Sequence, residues 1–354
     1  MYRLAALWAA LAIPFWMAAV WFWPGDAWPQ AVRSIDWHAR AMVTGFAGAV
    51  IVSFLVAPAR RWPEDRGALA WSLTGAWLAA RGLSLSPLPL AQYAVYADLL
   101  FFGIAAVVLV RRALRSPSPN NLLFAAAPLA LMMSVRVPLP VLELISVLVA
   151  VIAGRVIPGL VNARLPSRPA RIRVELDRIA IGAQLLAIAM NSAWPNSAAT
   201  DLVWAFAALA HLQRWWNWAP LQAIGTDLRL SMMLIAYAWL PIWLLTGAAG
   251  EWAPHGAATH ALGAGLVGGM IWSMMNRTLA GATESPGWVE RIGAVALVVG
   301  VLARFALAFV SPAWSSQVGA LAVVGWSVAF LSLAVRGGGE AGSRPASGIS
   351  GASR

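Results

Sequence analysis

Apolar runs recur along the whole chain, most of them close to the roughly 20 residues an α-helix needs to cross a hydrocarbon core. They cover about 4–23, 37–58, 68–85, 90–110, 122–135, 138–161, 179–194, 199–212, 230–249, 256–275, 292–310 and 314–335. Arginine or proline closes most of them, and the short run at 122–135 is interrupted by Pro128. With 60% hydrophobic and 11% charged residues over 354 positions, a soluble domain is excluded. The fold class is therefore all-α, a polytopic membrane helix bundle of about twelve spans in a lipid bilayer. One transmembrane domain is expected over 1–336, and the Gly/Ser-rich stretch 337–354, which has no apolar pattern, is expected to be a disordered cytoplasmic tail.

The charges give the orientation. All 25 cationic side chains are arginine. They cluster after the second, fourth and sixth runs, as in Arg60, Arg61 and Arg66, in Arg111, Arg112 and Arg115, and in Arg164, Arg168, Arg171 and Arg173. The positive-inside rule then places both termini in the cytoplasm and leaves the first run as an uncleaved span. The net charge of +11 is spread over short loops, with no basic patch interleaved with aromatic platforms, so nucleic acid is not an expected partner. The tryptophans Trp215, Trp216 and Trp218 fall in the loop before the ninth run, where an aromatic interfacial belt is expected. With no cysteine and no lysine, disulfides, thiolate ligands, iron–sulfur ligation and Schiff-base chemistry are excluded.

Histidine is left as the principal ligand type. His38, in Trp37-His38-Ala39-Arg40-Ala41-Met42, opens the second run, and His260 opens the tenth. Both runs point inward from the outer face, so the two imidazoles are expected at matched depth and able to face each other. Met42 lies one helical turn from His38, as a second ligand or as packing. His211, at the inner end of the eighth run, is expected on the other side of the membrane, and His255 in an outer loop. Asp98, Glu143 and Arg304 interrupt apolar runs in the outer half, at the level of Arg40, Arg81 and Arg136. A buried ionisable group needs a partner. Two readings are open: structural ion pairs, or arginines clamping the carboxylates of an anionic cofactor such as haem. Arg155, near the inner end of the sixth run, has the simpler reading of a side chain snorkelling to the interface.

Several motifs then point to a known family. These are Trp37-His38-Ala39 with Met42 and Gly45-Phe46, Asp98-Leu99, Gly154-Arg155-Val156-Ile157-Pro158, Tyr237-Ala238-Trp239, and His260-Ala261-Leu262 with Gly268, Met270, Met275 and Arg277. In this order the chain resembles the NnrS family over nearly its whole length. That resemblance implies a bacterial inner-membrane protein of about twelve spans, containing haem and copper and linked to denitrification and nitric oxide tolerance. The family's Trp-His-Ala-His-Glu-Met reads here with Arg40 and Ala41 in place of the second histidine and the glutamate. Leu234 stands where histidine is typical, and Gly281-Ala282-Thr283-Glu284-Ser285 replaces Gly-His-Thr-Gly-Arg. Of the expected metal ligands, His38, His211 and His260 keep their positions. Respiratory haem–copper oxidases, similar in helix number, hold a low-spin haem by histidines on helices two and ten. The expectation is one b-type haem between His38 and His260, with Met42, Arg40, Arg304 and Arg155 as further cofactor-site candidates and a membrane redox partner. The alternative is a cofactor-free transporter or scaffold in which Arg304, Asp98 and Glu143 line one path.

Overall fold

In a computed structural model the structure describes residues 1–21, 30–57, 66–87, 89–137, 139–254, 256–280 and 285–335. Every apolar run falls on a helix, and no strand occurs among the described residues. The helices are α1 (Tyr2–Trp21), α2 (Ile35–Val56), α3 (Arg66–Ser84), α4 (Leu90–Arg115), α5 (Pro119–Ser134) and α6 (Val141–Arg164). They continue with α7 (Val174–Ala193), α8 (Ala198–Trp216), α9 (Leu228–Ala248), α10 (257–280), α11 (Trp288–Ala306) and α12 (Pro312–Ala334). Six of them, α1, α2, α4, α6, α9 and α12, are long and apolar enough to cross a membrane. The chain is thus a membrane helix bundle. His255, the Gly281–Glu284 part of the last motif and the tail lie outside the described residues.

Local chemistry sets the helix starts. Ser34, Ser118, Ser197 and Asp227 are N-caps whose side-chain oxygens accept from Trp37, Asn121, Thr200 and Leu230. Each satisfies an amide that the first turn leaves without an intrahelical partner. Helices α7 and α8 are among those that run beyond their apolar stretch. Helix α7 begins at Val174, with Glu175 and Asp177 in the first turn where the helix dipole favours anions. Helix α8 continues past Leu212 to Trp216, so Gln213 and Arg214 are helical and not part of the loop expected from hydropathy.

Contacts between helix ends define two ends of the bundle. At one, Arg164 at the close of α6 pairs with Asp227 before α9 at 2.9 Å, Arg214 near the close of α8 pairs with Asp177 of α7 at 2.6 Å, and Arg229 of α9 pairs with Glu290 of α11 at 3.2 Å. At the other, Arg81 near the close of α3 pairs with Asp98 early in α4, and the starts of α2 and α10 hold His38 and His260 within electrostatic reach of Arg304 near the close of α11. Neighbours in sequence therefore run in alternate directions. The first and last helices also meet: Trp326 and Ser327 of α12 donate to the carbonyls of Ala9 and Ala10 at 2.9 and 2.8 Å. The face of α1 toward the bundle is a stripe of buried alanines, Ala5, Ala6, Ala9, Ala10 and Ala12. Small side chains of this kind allow helices to approach closely where lipid gives no hydrophobic incentive to associate.

The histidine-bearing helices share a departure from α geometry. In α2 the segment Ala41–Ala47, directly after the turn that carries His38, is π-helical; in α10 the segment Ala261–Gly268, directly after His260, is π-helical too. A wider turn disturbs the regular pairing of backbone carbonyls, and such segments concentrate at functional sites. In α2 side chains from neighbouring helices meet two of its carbonyls, Trp8 of α1 donating to Ala41 and Trp77 of α3 to Gly45, at 2.9 and 2.7 Å, while Thr44 of α2 itself donates to Arg40 at 2.8 Å.

Candidate functional site

The Trp37-His38 pair is held from both sides. Trp37 is buried, and its indole donates to the Ser84 carbonyl at the close of α3 at 3.1 Å. His38 lies against Trp16 of α1, ring centroids 4.4 Å apart and planes inclined by 26°. Trp16 in turn donates to the Ser34 carbonyl at 3.1 Å, which fixes the indole under the imidazole. Met42 packs against the small cluster of Ala12, Trp37 and Ala41.

On α10, His260 Nδ1 lies 2.8 Å from the carbonyl oxygen of Gly256. A carbonyl only accepts, so Nδ1 carries the hydrogen and Nε2 is left as the basic nitrogen. Gly256 makes this contact possible: its φ of 83° is the left-handed region that glycine adopts without steric cost, and it turns the carbonyl onto the ring one turn later. Fixing one imidazole nitrogen by a backbone acceptor is the arrangement that orients a metal-ligating histidine.

Both histidines have the same third neighbour. Arg304, near the close of α11, is close enough to His38 and to His260 to act on each electrostatically, and His38 acts on His260. Arg304 makes no hydrogen bond or ion pair with a protein group among the described residues, although it is only partly exposed. Two imidazoles and an unpaired guanidinium therefore occupy one neighbourhood, brought together from α2, α10 and α11. Helix α2 packs chiefly on α1, α3, α4 and α5, and α10 on α6, α9, α11 and α12; the two share no extended interface among the described residues. Toward the arginine-rich end the gap between them continues as an apolar cavity of about 60 Å³, bounded by Val50, Phe54, Leu148, Ile152, Met270 and Met274.

The other sequence candidates are distributed elsewhere. Arg40 borders a separate cavity with Arg81 and Asp98. Arg81 and Asp98 form a buried ion pair, so for these two the structural-pair reading describes the arrangement. Arg136 lies over the Tyr96 ring at 5.1 Å, and Glu143 has no ion pair among the described residues. Neither Glu143 nor Arg304 lines the cavity beside Asp98. Arg155 is on an exposed face of α6, twelve residues past Glu143, or about 18 Å along a helix. It is not brought to the His38 and His260 site.

His211 is at the opposite end, fully buried, in a polar network that sequence reasoning did not find. Arg214 Nη1 donates to the Tyr237 hydroxyl at 2.7 Å, and that hydroxyl is 2.8 Å from His211 Nδ1. Since arginine only donates, the phenol accepts from Arg214, and its own hydrogen is free to go to His211 Nδ1. Arg214 also donates to Asp177 at 2.6 Å and to the Ala150 carbonyl at 2.9 Å. Gly154 leaves the space for that guanidinium; a Cβ there would collide with it. Trp218, expected at the membrane interface, is instead buried against Tyr237 and the Arg214 guanidinium, at 4.6 and 5.1 Å. Among the three tryptophans of that segment, Trp216 is the exposed one. The Gly-Arg-Val-Ile-Pro block and Tyr237 are therefore linked through Arg214, whose position on α8 was hidden by the short apolar reading of that helix.

Fold and site together define an integral membrane helix bundle with paired histidine helices, each continuing as a π segment. The model of the NnrS protein family matches residues 1–338, and the chain belongs to that family. No curated protein and no solved structure matches it.

Proposed function

We propose that the chain binds one b-type haem between α2 and α10, which His38 and His260 would ligate and with whose carboxylate Arg304 would pair. The observation that carries this reading is the unpaired Arg304 guanidinium beside two histidines, one of them oriented through Nδ1 so that Nε2 is available. The donor set fits: imidazole nitrogens suit haem iron, and a partly buried guanidinium suits a carboxylate. Bound haem would supply an iron able to take a diatomic gas or exchange an electron. The protein's own part is to hold two imidazoles at fixed orientation, with Trp16 supporting one and Gly256 the other, and to neutralise a propionate. No residue is assigned to copper, since His211 Nδ1 lies on the Tyr237 hydroxyl and its Nε2 is closed in the core.

Family membership supports a role in nitric oxide stress or denitrification physiology in the bacterial inner membrane, with a membrane redox partner. The deciding measurement is the absorption spectrum of purified protein. A Soret band is expected in the wild type, lost or strongly shifted in His38→Ala and in His260→Ala and retained in His211→Ala. A wild type without the band, or single variants with unchanged spectra, would sink the bis-histidine assignment.

A further inference from the structure

On the side of α2 turned away from His38 lies a cavity of about 260 Å³, lined by polar and apolar groups from the start of α2, the close of α3, the start of α4 and the close of α5. Its back wall is the Arg81 and Asp98 ion pair. Arg81 lies over Trp8 at 5.6 Å and fills the space that Gly45 leaves by lacking a Cβ. The pair is incomplete in two ways. Arg81 Nε is buried and has no partner, and Asp98 uses Oδ1 for the pair while its second oxygen takes no hydrogen bond among the described residues. Across the cavity stands Arg40, exposed, near enough to act on Asp98 electrostatically yet joined to neither Asp98 nor Asp36 in an ion pair among the described residues. A cation and an anion thus face each other over that space without closing on it.

The neutral groups of the wall refine the chemistry. The hydroxyls of Thr44, Ser84 and Ser134 all give their hydrogens to carbonyls of their own helices, at Arg40, Arg81 and Leu131. What they offer to the cavity is lone pairs. The wall around Asp98 is therefore rich in acceptors, which suits an ammonium group, and Arg40 supplies the donor fork that suits a carboxylate. A lone cation would leave Arg40 without a partner, and a lone anion would leave the second oxygen of Asp98 without one. A molecule bearing both charges satisfies both walls. The volume corresponds to roughly eight waters at ~30 Å³ each, below the usual range for drug-sized ligands, so the occupant is small.

We infer that this cavity is a binding site for a small zwitterion, an α-amino acid with a short side chain, its carboxylate on Arg40 and its ammonium among Asp98, Thr44, Ser84 and Ser134. The site is independent of the haem proposal, since it opens on the opposite face of α2. Calorimetric titration of the detergent-purified full chain with glycine, L-alanine and L-serine, against acetate and methylamine, tests it. Saturable binding of the amino acids is expected, with neither single-charge analogue matching it. Arg40→Gln is expected to weaken binding at least tenfold and Ala91→Phe, which fills the cavity, to abolish it, both without lowering the ligand-free unfolding temperature. Asp98→Asn would strand the Arg81 charge and is liable to unfold, so the exposed Arg40 and the wall residue Ala91 carry the test. His38→Ala should bind the amino acid as the wild type does. No binding by any amino acid, equal binding of acetate or methylamine, or undiminished binding in Arg40→Gln overturns the proposal.

Discussion

At His260 the two ring nitrogens have different fates, and a backbone carbonyl decides which. The Gly256 acceptor holds Nδ1–H, and it can do so because a glycine occupies the left-handed region there. An L-residue in that region costs about 1–2 kcal/mol. Gly256→Ala should therefore lower stability by about that amount or turn the carbonyl away. In either case His260 loses its orientation, and haem retention during dilution of purified protein should fall more than the fold does. Arg304→Gln tests the neighbouring charge. It removes a charge-assisted hydrogen bond worth roughly 1.5–3 kcal/mol, so haem affinity should drop about 10- to 100-fold while the Soret position, set by the axial ligands, is kept. At this scale the sequence was informative about identity and poor about partners. Histidines at matched helix starts were readable from topology, because both runs enter from the same side. Arg40 and Arg304 were readable as charges at that depth, but which one stood beside the histidines depended on the rotation of their helices, and arginine composition carries no such information.

At the scale of helices, the rods were legible because a hydrocarbon core demands a run of fixed length, and their polar ends were not. Hydropathy stops where side chains become charged, while the backbone continues to gain helical hydrogen bonds. Helix α8 therefore reaches Arg214 and Trp216, and α7 begins at Val174. The same limit hid the network around His211: Arg214 is three residues further on the same helix, so both side chains lie on one face. The π segments had no sequence signal either, since an all-apolar stretch such as Ala261–Gly268 shows no periodicity to distinguish a wider turn. Their support is visible only in the packing. Trp77 gives its indole hydrogen to the Gly45 carbonyl in a buried position, so Trp77→Phe leaves that carbonyl unsatisfied. A loss of about 1–3 kcal/mol is expected by reversible denaturant titration in mixed micelles. Trp71→Phe is the control on the same helix, because Trp71 is 78% exposed and should change little. Equal effects from the two would mean that the indole bond does not hold the π segment.

At the scale of the whole molecule, the twelve helical runs and the two chemically distinct ends make the topology a sharp question. Six helices qualify as spans by length and hydropathy alone, and α5 is a shorter apolar helix, so the number of crossings depends on whether the polar or short rods cross with their neighbours. Arg214 of α8 and Asp177 of α7 meet at the end where α6 and α9 also join, so α7 and α8 form a hairpin that returns to that end. If α5 and α8 both lay along the surface instead, every helix between them would reverse. The absence of cysteine from the sequence allows a direct measurement, since each introduced thiol is the only one. Ser116→Cys and Ser167→Cys lie at the arginine-rich end, and Ser86→Cys and Ser315→Cys at the end that carries His38. With both termini in the cytoplasm, a membrane-impermeant maleimide applied to spheroplasts should label the last two and leave the first two unlabelled until the membrane is opened. The inverse pattern would turn the histidine site toward the cytoplasm. Labelling of Ser86→Cys without Ser315→Cys would show that the chain between them crosses one time fewer or more than the alternating bundle requires.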